Sequence, residues 1–289
     1  MMNKARIALF LGILCISIFP VMVRMNLTSG LISAFYRMAI ATAIVLPVAF
    51  FGGKIKIKDK RELVGLMICG ILFASDIAVW NVSIQNSSAT QATLLTNLSP
   101  IWVGVISLAL LKFRPKTSFW LGTIFALVGM VIFVGAETVL RLNFDFAFFL
   151  GILSGIFYAL YILVSKSTLQ KMDVITFLSI SMAFSTVFLF LICLVFGEKF
   201  FGFTQKAWAS LLIQGIVCQL IAWLLISYTT KRMRATRVSL VLLSQVVFAA
   251  LLAVVFVDEK IVARQIIGGI VILSGIAMTF YEKRREVAE

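Results

Sequence analysis

The chain contains no histidine, and only 12 of its 289 residues are Asp or Glu. Losing histidine removes the commonest general base and the commonest transition-metal ligand. It also rules out any H-E-x-x-H metal site. Charge of either sign is scarce: 13% of residues, against roughly 25% in a soluble domain. Hydrophobic residues make up 62%. A globular core cannot hide that much apolar surface, because surface polarity would run out first. A soluble enzyme, a secreted disulfide scaffold and a disordered protein are therefore excluded. There is no G-x-x-x-x-G-K-[ST], so no P-loop for ATP hydrolysis. No span is regularly charged like a voltage sensor, no loop resembles an ion filter, and the loops are too short for a receptor domain. The four cysteines, Cys15, Cys69, Cys193 and Cys218, all sit in apolar runs without a C-x-x-C pair. They read as small buried hydrophobes and say nothing about redox compartment.

What is present is a succession of apolar runs. A membrane helix needs about 20 such residues. Ten runs qualify, at roughly 5–25, 29–51, 62–86, 88–111, 117–137, 146–167, 174–196, 206–230, 236–257 and 262–281. The first lacks a small-x-small cleavage site and is read as a helix rather than a signal peptide. The expected fold class is all-α: a polytopic membrane protein of ten transmembrane helices in two inverted five-helix repeats. With the N-terminus inside, nineteen of the 26 basic residues fall in inner segments, six in outer ones, and Arg37 within a span. Basic loops stay on the cytoplasmic side, so the net charge of +14 marks topology rather than nucleic-acid binding. Both termini are expected in the cytoplasm, and the protein in the cytoplasmic (inner) membrane.

The chain also repeats. Shifted by 146 residues, 89–129 falls on 235–275, and Gly122 and Gly129 meet Gly268 and Gly275. Lys231, Arg232, Arg234 and Arg237 stand where the first copy has Gln85, Asn86, Ser88 and Gln91. The same template thus carries opposite charge dressing. Five spans per copy force the second copy, 145–285, to enter the membrane inverted relative to the first, 1–140. Inverted repeats are a hallmark of secondary transporters, with the substrate site near the midplane.

On "SAFYR" (Ser33 to Arg37), "SSATQATLLTNLSP" (Ser87 to Pro100), the glycine-spaced "WLGTIFALVGMVIF" and "IIGGIVILSGIAM", and "VVFVDEK" with Glu259, the chain resembles the EamA type of the drug/metabolite transporter superfamily. The resemblance implies carriers of small metabolites, often amino acids or related compounds, commonly moved outward. It implies that helices 1–4 and 6–9 enclose a cavity, and that helices 5 and 10 are peripheral or dimer-forming, in a monomer or a homodimer. The chain departs from the pattern at Phe113, opposite Glu259, at Val246, opposite Pro100, and at Ile16 and Ser17, near a usual Trp-Gly pair.

Polar residues within spans are the candidates for chemistry, because a charge at the bilayer centre costs about 2.5–3.5 kcal/mol. Arg37 and Asp76 stand out, both roughly 12–15 Å below the outer surface at about 1.5 Å per residue. Three readings stay open: an ion pair closing the bundle, a substrate or proton site, and an Arg37 that snorkels to the headgroups. Asp76 is the one deep acid, so a paired-aspartate protease lacks its second carboxylate. Asp76, Trp80 and Ser83 share a helical face, as do Gln219, Trp223 and Ser227. A tryptophan beside a polar group suits a small amphipathic or cationic solute. Asn97, Ser99 and Pro100 interrupt helix 4 at mid-span, and Ser244 and Gln245 occupy the same depth in helix 9. Tyr158 and Tyr161 offer hydroxyls from helix 6, where Gly151-x-x-x-Gly155 reads as a packing face.

The expected function is secondary transport by alternating access, with export as the expected direction and Asp76 as the candidate for proton coupling. The substrate-binding set is Arg37, Asp76, Trp80, Asn97, Tyr158, Tyr161, Gln219, Trp223, Ser244 and Gln245. The alternatives are a facilitative exchanger, a channel, and an intramembrane enzyme. No catalytic residue, metal or cofactor is expected. The partners are a small-molecule substrate and membrane lipid.

Overall fold

The computed structural model describes residues 2–86, 89–110, 114–140, 144–257 and 260–280. Among these there is no strand. Ten apolar helical passes follow in order: α1 Met2–Arg24, α2 Gly30–Phe51, α3 Lys60–Asn86, α4 in two segments Ala89–Thr96 and Ser99–Leu110, and α5 Thr117–Val134. The rest are α6 Phe146–Leu169, α7 Val174–Val195, α8 Gln205–Arg232, α9 in segments Ala235–Leu242 and Ser244–Val257, and α10 Ala263–Met278. Nine are long and apolar enough to cross a membrane, and α10 is an apolar helix of 16 residues. The molecule is a multi-pass membrane protein. Glu259 and Phe113, which carry part of the sequence resemblance, lie outside the described residues.

Side-chain caps start several helices and keep the connections short. Ser29 accepts from the Ile32 amide, Asp145 from Phe148, Asp173 from Ile175 and Thr204 from Ala207. Each satisfies an amide that a helix start leaves unpaired. Two features were not legible in the hydropathy. A short helix, Ala136–Leu140, follows α5. Within α8, residues Gln214–Ile221 are π-helical.

The packing follows a pattern. α3 lies on α6, and α1 lies on α8. α4 lies on α6, and α9 lies on α1. α2 crosses α7, and α5 pairs with α10. Exchanging each helix for the one five places along leaves this set of pairs unchanged. The α5–α10 pair is antiparallel, with Gly122 against Gly275 and Gly129 against Gly268. A Cβ on Gly122 would stand 2.5 Å from the Gly275 carbonyl oxygen, and one on Gly275 would stand 2.6 Å from that of Gly122. Only glycine permits such an approach of two backbones, and small residues drive helix association in lipid. Outward, the pair exposes Leu121, Ile124, Phe125 and Val128 on α5, and Ile266, Ile267, Ile270 and Leu273 on α10. In a bilayer that face meets acyl chains, so its exposure carries no hydrophobic penalty.

Two apolar clusters result. The larger is built by α1–α3 and α6–α8 with Val103 of α4 and Ala235, Val238 and Leu242 of α9; the smaller joins α5 and α10 to α4 and α9 through Leu94, Met130, Leu240 and Ile272. Between counterpart helices some hydrogen bonds recur. Ser83 Oγ on α3 donates to the Ala147 carbonyl on α6 (2.8 Å), and Thr229 Oγ1 on α8 donates to the Ala5 carbonyl on α1 (2.9 Å). Thr42 of α2 and Thr186 of α7 bond to each other at 3.0 Å. Both interrupted helices break at the same register: α4 at Asn97–Leu98 and α9 at Leu243, with Asn97 and Leu243 146 residues apart. The break in α4 precedes Pro100, which sits in the first turn of the second segment, where a missing N–H costs nothing.

Candidate functional site

Asp76 sits in the middle of α3, 7% exposed, and faces α6. Its Oδ1 accepts from Ser154 Oγ at 2.6 Å, and Ser154 Oγ lies 2.8 Å from Thr96 Oγ1 at the end of the first α4 segment. Three helices therefore converge on one carboxylate. Gly151 and Gly155 make this possible. A Cβ on Gly155 would lie 3.1 Å from the Thr96 carbonyl oxygen, so α6 closes directly onto the broken α4. The Gly-x-x-x-Gly face is the packing surface that its sequence suggests, and it is also what brings Ser154 to the acid.

Arg37, on α2, is 4% exposed. Its guanidinium carbon lies 4.1 Å from the centroid of the Phe19 ring on α1. A desolvated cation over an aromatic face gains about 2 kcal/mol or more. Phe19 in turn contacts Trp80 of α3, with ring centroids 6.4 Å apart. Arg37 and Asp76 form no direct ion pair; they interact only at longer range. Burial also removes the snorkelling reading of Arg37. Arg37 and Asp76 thus form neither a direct pair nor a snorkelled cation.

Beside them lies an aromatic cluster drawn from three helices. The Phe73 ring of α3 lies 4.7 Å from that of Tyr161, tilted, and 4.6 Å from that of Trp223, edge to face, and Tyr161 and Trp223 are 5.4 Å apart. Tyr158 stacks on Tyr161 at 6.5 Å. Trp223 and Tyr161 are buried, while Tyr158 and Trp80 are half-buried. So Trp80 and Trp223, paired by sequence, belong to two different aromatic contacts, one with Phe19 and one with Phe73.

Several buried polar atoms have no partner among the described residues. They are Arg37 Nε, both amide atoms of Gln219, and the indole nitrogens of Trp102 and Trp223. Each unmet group costs about 1–3 kcal/mol. Other sequence candidates are spent on their own helices. Asn97 Nδ2 donates to the Thr93 carbonyl at 2.8 Å, and Ser244 Oγ to that of Val241 at 2.7 Å. Ser17 Oγ reaches the Gln245 backbone carbonyl at 3.3 Å, which ties α1 to α9 without using the Gln245 side chain. Ser154, Thr96, Phe19, Phe73 and Trp102 were not among the sequence candidates. The one available signal was for Ser154: it stands beside the glycine of a face that must touch another helix.

The glycine-closed contact of α6 on α4 has a looser counterpart where α1 faces α9. There Leu9, Phe10, Ile13, Val241, Ser244, Arg6 and Phe280 line a cavity of about 190 Å³. It lies at the end of the bundle where α1 begins. Within the spans the structure thus buries one acid, one cation, aromatic rings and unmatched polar atoms.

Comparison with known proteins fits this geometry. The EamA-like transporter family matches residues 3–135 and again 145–281. The chain belongs to the EamA-like transporter family. An uncharacterised transporter of Archaeoglobus fulgidus is 23% identical over 248 residues, covering 85% of this chain and 86% of that one. An S-adenosylmethionine uptake transporter of Rickettsia felis is 23% identical over 145 residues, half of this chain and 48% of its own. A solved crystal structure has the same fold, with a TM-score of 0.80 and 17% identity over 96% of both chains. This EamA-like chain is thus a membrane transporter of small solutes.

Proposed function

We propose that the protein is a secondary transporter that moves a small metabolite across the cytoplasmic membrane by alternating access between two inverted five-helix repeats, 1–140 and 145–285. The observation that carries this reading is the set of unpartnered buried groups within the spans, Arg37 Nε, Gln219 and Trp223 Nε1, in a bundle that also buries Asp76. Unmet donors at mid-membrane are expensive, and a bound solute offsets them. A cation, an acid and aromatic faces together suit an amino acid or a related amphipathic solute. The site is then Arg37, Asp76, Trp80, Tyr158, Tyr161, Gln219 and Trp223, with Asn97, Ser244 and Gln245 at the helix breaks that flex around it. Asp76 is the coupling residue, with protons as the coupling ion and export as the working direction. No catalytic step is assigned to any residue.

The inverted-repeat part of the reading is supported by the exchange-symmetric helix pairs, the antiparallel glycine contact and the family's double match. The cytoplasmic placement of both termini rests on the distribution of basic residues. A cysteine added near Lys56 should label only in permeabilised cells, and labelling in intact cells would reverse the orientation.

The test of function is a thermal-shift screen of the purified protein against amino acids, polyamines and nucleosides, with each stabilising solute then run in proteoliposome counterflow. Saturable, trans-stimulated flux is the expected result. Flux that does not saturate and carries current would establish a channel instead. Saturable counterflow that ignores an imposed proton gradient would establish a facilitative exchanger.

A further inference from the structure

The π-helical turn in α8 holds two buried glutamines in opposite states. Both amide atoms of Gln214 are bonded: its Oε1 accepts from Ser33 Oγ of α2 at 2.5 Å, and its Nε2 donates to Ser210 Oγ at 3.1 Å. Gln219, 0% exposed, has neither amide atom bonded among the described residues. A single turn therefore carries one structural glutamine and one whose donor and acceptor are both idle.

Contacts shared by the two halves show where the turn came from. Gly70 of α3 packs against the α7 backbone, and Gly215 of α8 packs against Ile40 of α2. These two glycines are 145 residues apart. The recurring bonds of Ser83 and Thr229 are 146 apart. Between these marks α8 holds one residue more than α3, and the π segment is where it is absorbed. A π-bulge accommodates an inserted residue through i→i+5 bonding, and such bulges concentrate at functional sites. In α3 the corresponding turn holds Phe73, which packs on Trp223. In α8 it holds Cys218 and Gln219, within electrostatic range of Arg37 in the case of Cys218.

We infer that Gln219, set unpaired in the core by this one-residue insertion, is the specificity-determining residue that reads a planar donor–acceptor edge on the solute, such as a carboxamide or an aminopurine. The inference rests on the carrier reading and narrows its substrate class. A primary amide presents an acceptor and a donor side by side in one plane. The group that satisfies both at once offers the same pair reversed: another amide, or the N6–N7 edge of adenine, which Gln binds in a bidentate manner. An aliphatic tail leaves both atoms unmet. A site built on a polar pair rejects analogues that lack the matching groups far more strongly than an apolar pocket discriminates by size.

The experiment compares three proteins without ligand, then with L-glutamine, adenosine or L-norleucine as probes. Without ligand, Gln214→Leu should melt several degrees below the parent protein, because it strands Ser33 and takes a donor from Ser210. Gln219→Leu should melt no lower than the parent, because it removes an unpaired group. L-Glutamine or adenosine should raise the melting temperature of the parent by at least 2–3 degrees more than L-norleucine does, on the order expected for ligand linkage. That difference should vanish in Gln219→Leu. The inference is overturned if Gln219→Leu melts as low as Gln214→Leu, for Gln219 is then structurally bonded. It is also overturned if neither probe exceeds L-norleucine. Neither result touches the carrier reading, which stands or falls on counterflow of whichever solutes the wider screen returns.

Discussion

The α5–α10 seam and the centre around Asp76 lie in one chain and obey different rules. In the seam, each glycine meets the counterpart of its neighbour, Gly122 against Gly275 and Gly129 against Gly268, so both copies contribute alike. In the centre, the copies diverge. Where α3 meets α6, Asp76 bonds to Ser154; where α8 meets α1, Ala222 approaches Gly12, whose Cβ would lie 3.1 Å from the Ala222 carbonyl oxygen. One half carries the polar contact and the other a close apolar one. Packing can be served by repetition, because a backbone approach works equally well in either orientation. Recognition of a solute without two-fold symmetry cannot, so the proposed site draws on residues that differ between the copies.

The largest effect should come from breaking the symmetric region. Gly122→Leu or Gly129→Leu drives a side chain into the facing backbone. Either should destabilise by more than about 3 kcal/mol, the upper range for overpacking. Size-exclusion fluorescence should detect no monodisperse protein, and well-behaved protein from either variant would refute the seam as drawn.

A change in the asymmetric region should leave the fold and remove the activity. Asp76→Asn keeps the shape and can still accept from Ser154, so it should insert and melt near the parent temperature. Counterflow of a confirmed solute should fall at least tenfold, and any pH dependence of uptake should flatten. Unchanged transport and unchanged pH dependence would take Asp76 out of the mechanism. A collapsed melting temperature would make it a structural residue instead.

Smaller effects sharpen the contrast. Ser154→Ala leaves Asp76 with one hydrogen bond fewer and should cost about 1–2 kcal/mol of stability, readable as a lower melting temperature. Ser83→Ala and Thr229→Ala remove counterpart bonds and should each cost about 1 kcal/mol, with transport retained. A tenfold transport loss in one but not the other would mean that these paired bonds are not equivalent.

Much of this was legible in the sequence, and the exceptions have physical reasons. The ten passes could be read because each is a long apolar run between polar breaks. The matched glycines could be read because only that residue leaves a fixed spacing recognisable in otherwise interchangeable apolar sequence. The break in α4 was expected near Pro100 and falls at Asn97–Leu98, since a proline removes the bonds of the turn before it. The π turn left no trace, because inserting one residue into "IQGIVCQLI" changes neither hydropathy nor charge. The partner of Asp76 was left open for a related reason. Opposite charge suggested Arg37, whereas the carboxylate is met by Ser154, a residue that reads as packing between two glycines. Sequence separates charged from apolar well, but it does not say which of two nearby helices a buried side chain faces.

The bond between Thr42 and Thr186 ties the same position of the two copies to itself. Contacts of that kind arise at the axis of a self-associating pair, where a surface is complementary to its own rotated image. The single chain therefore has the internal anatomy of a two-fold pair carried on one polypeptide. The join runs through the short stretch between residues 140 and 145, and the helix pairs described above span it by lateral contact alone. Two polypeptides divided there and produced together should find each other in the membrane and co-purify, with Thr42 and Thr186 at the centre of their interface.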